Sequence, residues 1–227
     1  MTTTLPPSAV QAAVDPRHWR VVLATVRATF RTGSFARGVE LVERIAAAAD
    51  AAGHHPDVDL RYARVHVSLS SHDVEALTQR DVDLAAAITA IADGLGVPGE
   101  PGRPQGLEIA IDALDIAAIV PFWRAVLGYR DERPAAPDAS PALVDPDGIG
   151  PAVWFQQMDA PRPDRNRIHL DVSVPHDAAD ARVEAALAAG GRLVSDDRAP
   201  AFRVLADAEG NEVCVCTWRG REESPGG

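Results

Sequence analysis

Two hydrophobic periods alternate along the first ninety residues. In "YARVHVSLS", Val65, Val67 and Leu69 interleave with Arg64, His66 and Ser68, the period of a strand with one buried face. "WRVVLA" and "VRATFRT" are strand-like as well. Phe35, Val39, Val42, Ile45, Ala46 and Ala49 instead fall at helical spacing, with Ser34 placed as N-cap and Gly53 as the stop. A second helix is expected from Thr78, with Leu84, Ala85, Ile88, Ile91 and Leu95 on one face. With a short helix after Ser8, the order is helix, two strands, helix, strand, helix. It predicts an α+β layer in which helices cover an antiparallel sheet.

Residues 96–106, "GVPGEPGRPQG", interrupt both periods with three prolines and four glycines, as an exposed linker would. They divide a first domain at residues 8–97 from a second at 106–219, with the Pro/Gly linker at 98–105 and a polar tail at 220–227. In the second half "LEIAIDALD" runs into the helical "IAAIVPFWRAVLG", and "IHLDVSV" later runs into "DAADARVEAALAAG". Strand-like "AVWFQQM", "RLVSD", "FRVLAD" and "EVCVCTW" lie between and after them. Glu108 and His169 hold the same place in the two copies, an offset of 61 residues (169 − 108). This pattern predicts a duplicated strand–helix–strands unit closing around a cleft.

Composition narrows the functions. The chain has 227 residues, 46% hydrophobic and 24% charged, enough for a real core. Its 22 basic and 33 acidic residues leave a net charge of −11, which opposes binding to nucleic acid or an anionic membrane. Cys214 and Cys216, the two cysteines, face one side of a strand and are too few for a disulfide framework or a zinc site of thiols alone. "MTTTLPPSAV" lacks the basic-then-apolar order of a secretory signal, and no apolar run approaches the roughly 20 residues that span a bilayer. A cytoplasmic protein is expected, without nucleic acid or membrane as partner.

Three of the seven histidines lie in two short stretches, "DAAGHHP" at residues 50–56 and then "SLSSHD". Singly, each polar residue there has an ordinary structural use. An imidazole suits a helix C-terminus, and Asp81 can be the third-position acid of a capping box on Thr78. Together, Asp50, His54, His55, Pro56, Tyr62, His72 and Asp81 resemble, in identity and spacing, the motif of the pterin-4a-carbinolamine dehydratases. "LSSHDVEALTQRDVDLA" is similar to the same family, although its usual glycine pair before Leu-Thr is Glu75-Ala76 here, which bears on the turn after His72. The resemblance covers nearly the whole first domain.

That resemblance implies loss of water from a 4a-hydroxytetrahydropterin, giving the quinonoid dihydropterin. A proton must reach the departing hydroxyl and another must leave a ring nitrogen, and imidazoles near their ordinary pKa of about 6.5 can do both. The implied catalytic residues are His54, His55, His72 and Asp81. His54 and His72 form the acid–base pair, His55 holds the pterin, and the sequence does not decide which histidine donates. Asp50, Pro56, Tyr62, Ser71 and Asp73 are the implied substrate contacts, and no cofactor is required.

"DALDIAAIVPFWRAVLGY", "RNRIHLDVSV" and "VLADAEGNEVCVC" resemble the glyoxalase-like branch of the vicinal oxygen chelate superfamily, implying paired βαβββ modules. In metal-binding members each module gives one ligand from its first strand and one from its last. Glu108 and His169 stand at the first-strand positions, and the last-strand positions fall near Gln156 and on Cys214, where the metal-binding pattern has glutamate. That set leaves a divalent metal in the second domain an open option, with Glu108 and His169 as candidates. Members of both families self-associate, so a homo-oligomer is expected. Two alternatives remain: a small-molecule enzyme or binding protein acting through the second domain, and a scaffold in which the first domain only binds or dimerises.

Overall fold

The strand alternation and most of both helical stripes find their places in the computed structural model, which describes residues 3–133, 140–161 and 168–220. Phe35 and Ala46 of the first stripe are exposed, and Leu41 is buried in that helix instead. The chain separates into two units, residues 1–106 and 107–227. The first contains α1 (Pro7–Ala13), β1 (Trp19–Val22), β2 (Thr25–Arg31), α2 (Phe35–Ala52), β3 (Asp57–Arg61), β4 (Arg64–Leu69) and α3 (Gln79–Leu95). Its sheet is antiparallel, in the order β1-β2-β4-β3. Val26, Ala28 and Phe30 of β2 and Val65, Val67 and Leu69 of β4 form a core with Leu41 and Ile45 of α2 and Leu84 and Ile88 of α3. Full burial of such side chains is worth about 1.5–3 kcal/mol each. This packing, rather than helix propensity, holds the helices on the sheet.

β3 is an addition to the elements read from the sequence. Asp57, Val58, Asp59 and Arg61 are exposed and Leu60 is half-buried, so β3 is an edge strand marked by charge. Pairing of Asp57 with Ser68 ties the segment after His55-Pro56 to the sheet beside the start of the β4–α3 connection.

The second unit runs β5 (Glu108–Ala113), α4 (Ile116–Leu127), β6 (Arg130–Asp131), β7 (Ala142–Val144) and β8 (Ala152–Gln157). It then repeats as β9 (Leu170–Ser173), α5 (Ala179–Ala188), β10 (Arg192–Ser195), β11 (Phe202–Ala206) and β12 (Glu212–Cys216). The sheet orders, β5-β8-β7-β6 and β9-β12-β11-β10, are the same βαβββ topology twice. In each copy the first and last strands are parallel neighbours. The copies are bonded together. Trp123 Nε1 donates to the fully buried Asp207 carboxylate at 2.9 Å, and Glu209 accepts from the main-chain N–H groups of Leu114 and Asp115. The "ADAEGNE" turn of the second copy thus clasps the β5–α4 junction of the first. Of the expected tail at 220–227, residues 221–227 lie outside the described residues, as do Arg165, Asn166 and Arg167 of "RNRIHLDVSV". Among the described residues no helix is long and apolar enough to cross a membrane.

Candidate functional site

The end of α2 decides where the first histidine points. Gly53 takes the left-handed conformation (φ 59°), which costs glycine little and other residues more. Gly53 N–H bonds the Asp50 carbonyl at 3.2 Å and His54 N–H the Ala49 carbonyl at 3.1 Å. These are the two bonds of a Schellman motif, whose outermost residue usually packs an apolar side chain against the helix. Here that residue is an imidazole, and His54 is only 6% exposed.

α3 supplies its partner. Thr78 caps the helix, and Asp81 accepts from Thr78 N–H at 2.7 Å to complete a capping box. The same carboxylate oxygen accepts from the Ser71 hydroxyl at 2.9 Å, while the other meets His54 Nε2 at 2.8 Å. A carboxylate engaged by an N–H and a hydroxyl is an acceptor, so His54 Nε2 carries the hydrogen. In the neutral ring Nδ1 then keeps the lone pair. Local helix capping and a buried His–Asp pair are therefore one structure.

The next residue behaves differently. His55 Nε2 lies 2.9 Å from Asp50 Oδ1, but both side chains are largely exposed. His72 is exposed on the four-residue turn between Ser71 and Ala76, whose ends are bridged. In that turn Glu75 has φ 48°, so the left-handed position survives without the glycine the resemblance leads one to expect. A pocket of about 150 Å³ is lined by Ala48, Ala52, His54, Arg80, Asp83 and Ala87, among others. It is smaller than the roughly 300–1,000 Å³ of typical ligand pockets, so it suits one edge of a ligand.

In the second unit the β-sheet register separates residues that the sequence had grouped. Cys214 pairs with Asp171, and the counterpart of that pair is Trp154 with Ala110. Gln156 pairs with Asp112 and is the counterpart of Cys216, which pairs with Ser173. Gln156 and Cys214 are therefore not equivalent. The first strands are offset by 61 residues, but the last strands by 60 (214 − 154). An indole has no lone pair to offer a metal, so the first copy lacks the expected last-strand ligand. A Glu/His/Glu-type set across both copies does not fit these residues. Within the second copy, His169, Asp171 and Cys214 converge, their ligand atoms all within 4.8 Å of one another. Burial, and then the neighbouring Asp171, push the Cys214 thiol up to about 12.

Residues 3–91 match the family model for pterin 4 alpha carbinolamine dehydratase, and residues 108–216 that for a glyoxalase-like domain. A Herpetosiphon aurantiacus protein is 40% identical over 85 residues, covering 37% of this chain and 88% of its own. The chain belongs to the pterin-4a-carbinolamine dehydratase family. A Chloroflexus aggregans relative is 49% identical over 63 residues, covering 28% of this chain and 67% of its own. Both relatives bear the dehydratase name provisionally. A glyoxalase/bleomycin resistance protein/dioxygenase family enzyme from Burkholderia phytofirmans PsJN aligns with the chain at 20% identity and a TM-score of 0.41. The alignment covers 48% of this chain and 95% of that one.

Within the dehydratase-family unit, the motif residues separate into three groups. His54, Asp81 and Ser71 form one buried network, with His55, Asp50 and Pro56 next to it along the chain and His72 following Ser71. Ser71 and Asp81 have no exposed surface, and their hydrogen bonds run to Thr78, to each other and to His54. Asp73 is taken by the Arg80 guanidinium, which holds its carboxyl below the usual range. Tyr62 is 75% exposed at the β3–β4 turn, the opposite end of that hairpin from Asp57 and the His54-His55-Pro56 segment that precedes it. Sequence reasoning missed Arg80. Its Nε is buried without an acceptor among the described residues, and its side chain lines the pocket beside His54. The signal was its place directly before Asp81 in the first turn of α3.

Proposed function

We propose that the first unit dehydrates a 4a-hydroxytetrahydropterin to the quinonoid dihydropterin by imidazole acid–base catalysis. The observation that carries this is the buried His54–Asp81 pair at the pocket. Asp81 fixes one tautomer of His54, leaving Nδ1 to accept a proton from the pterin ring nitrogen. As the C4a–oxygen bond breaks, a second imidazole delivers a proton to the departing hydroxyl, which leaves as water. His72 or the neighbouring His55 supplies that proton, each being exposed and able to exchange with solvent. The reaction loses water without a change of oxidation state, so His54, His55 and His72 cover its proton transfers. The Arg80 side chain lines the same pocket beside His54 and brings a positive charge to the polar edge of the pterin. General acid–base help of this kind is worth about 10²- to 10⁴-fold.

Stopped-flow decay of an enzymatically generated 4a-hydroxytetrahydropterin tests the proposal with the full chain. The wild-type protein is expected to accelerate decay above the spontaneous rate, and His54→Ala with His72→Ala to abolish that acceleration. A folded wild-type protein that leaves the spontaneous rate unchanged would overturn it and leave the unit a binding or dimerisation module.

A further inference from the structure

We infer that the second unit holds a zinc-class divalent ion through one βαβββ copy alone, with His169, Asp171 and Cys214 as its ligands. His169 and Asp171 are two residues apart at the start of β9, and Cys214 is the cross-strand partner of Asp171 on β12. Alternation along a strand therefore puts all three on one sheet face. Leu170, Val172, Val213 and Val215 belong to the opposite, apolar face. Cys214 is buried yet outside that core cluster, so its sulfur is directed away from the apolar packing.

The separations match those of coordinated ligands. His169 Nδ1 lies 3.4 Å from Asp171 Oδ1 and 3.7 Å from Cys214 Sγ. Tetrahedral zinc, with bonds of about 2.0–2.1 Å to nitrogen and oxygen and about 2.3 Å to sulfur, sets its ligands about 3.3 Å (N···O) and about 3.6 Å (N···S) apart. Nitrogen, carboxylate and thiolate suit a borderline ion and disfavour a hard one such as magnesium. His169 and Asp171 are about half exposed, so an ion can enter and keep an open fourth position. Binding would release the Cys214 proton to solvent, leaving a thiolate neutralised by the cation.

This site differs from the two-module arrangement in that Glu108 has no part in it and Asp171 does. Cobalt(II) titration of the metal-free full chain, read by the thiolate-to-cobalt charge-transfer absorbance and by competition with zinc, distinguishes the two. One equivalent is expected to bind, with the band abolished in Cys214→Ser and His169→Ala. Asp171→Asn should weaken affinity about tenfold or more. Glu108→Gln and Cys216→Ser should retain both band and affinity. The half-exposed position of His169 makes its variant a folded control for Cys214→Ser, checked by thermal unfolding. Absence of the band in wild type, its loss in Glu108→Gln or in Cys216→Ser, or full affinity in Asp171→Asn would each overturn the inference.

Discussion

His54 and His55 are neighbours in the chain, each within 2.9 Å of an aspartate oxygen, and they form two different kinds of pair. His54 and Asp81 are 6% and 0% exposed, whereas the His55 and Asp50 side chains are 64% and 78% exposed. Distance alone does not distinguish them. The buried pair has no water to fall back on, so each partner left alone keeps an unmet desolvation cost. The exposed pair can exchange each other for solvent at almost no cost. The first arrangement fixes one imidazole; the second leaves its neighbour adaptable.

Asp81→Asn should break the contrast most deeply. The amide cannot serve as a charged acceptor for Thr78 N–H, Ser71 and His54 at once, so the capping box and the imidazole's orientation fail together. Loss of these bonds should lower stability by about 2–4 kcal/mol, read from denaturant unfolding. Dehydration should fall by about 10²-fold or more if the tautomer of His54 is what the reaction uses. Ser71→Ala, which removes one donor to Asp81, should cost less in both measurements.

A second comparison sharpens the first. α3 ends in the same motif as α2: Gly96 is left-handed and Val97 N–H bonds the Ala92 carbonyl at 2.8 Å. There the outermost residue is Val97, buried at 2% exposure as the motif ordinarily requires. His54→Val would give α2 the apolar cap of α3. It should still destabilise the protein by about 1–3 kcal/mol, because it leaves the buried Asp81 carboxylate one donor short. Unfolding of His54→Val and of Asp81→Asn, singly and combined, would measure the coupling. A combined loss well below the sum of the two is expected, and additivity would show that the pair does not act as a unit.

Part of this was readable in the sequence and part was not. The two helices, their caps at Ser34 and Thr78, the stop at Gly53 and the buried run of β4 all follow from local periodicity and capping chemistry, which need no tertiary information. β3 escaped because an edge strand facing solvent carries charges instead of an apolar alternation. Tyr62 was grouped with the histidines by spacing along the chain, and the β3–β4 hairpin carries it to the far end. In the second unit Gln156 stands two residues along β8 from Trp154, the counterpart of Cys214, and only strand pairing reveals which residues stand opposite each other. Spacing locates motif residues, but strand register and burial assign their partners.

Glu75→Gly tests the turn that carries His72. A non-glycine residue at φ 48° pays a left-handed penalty of about 1–2 kcal/mol, partly offset because glycine loses more backbone entropy on folding. A net gain of about 0.5–1 kcal/mol is expected in thermal unfolding; a loss would mean that the Glu75 side chain contributes more than its backbone costs.

The smallest effect belongs to the exposed pair, and it is the most informative about what solvent does. Asp50→Asn and His55→Gln should each change stability by less than about 0.5 kcal/mol, and their double-mutant coupling should be of the same small size. The 2.9 Å separation would lead a reader of distances to expect as much as from His54–Asp81. Any coupling that does appear should fade with added salt, since both groups lie in water where screening acts within about 10 Å at 0.1 M. A coupling above about 1 kcal/mol that persists in salt would show that His55 and Asp50 are shielded in solution, and the division between a fixed and an adaptable imidazole would then fail.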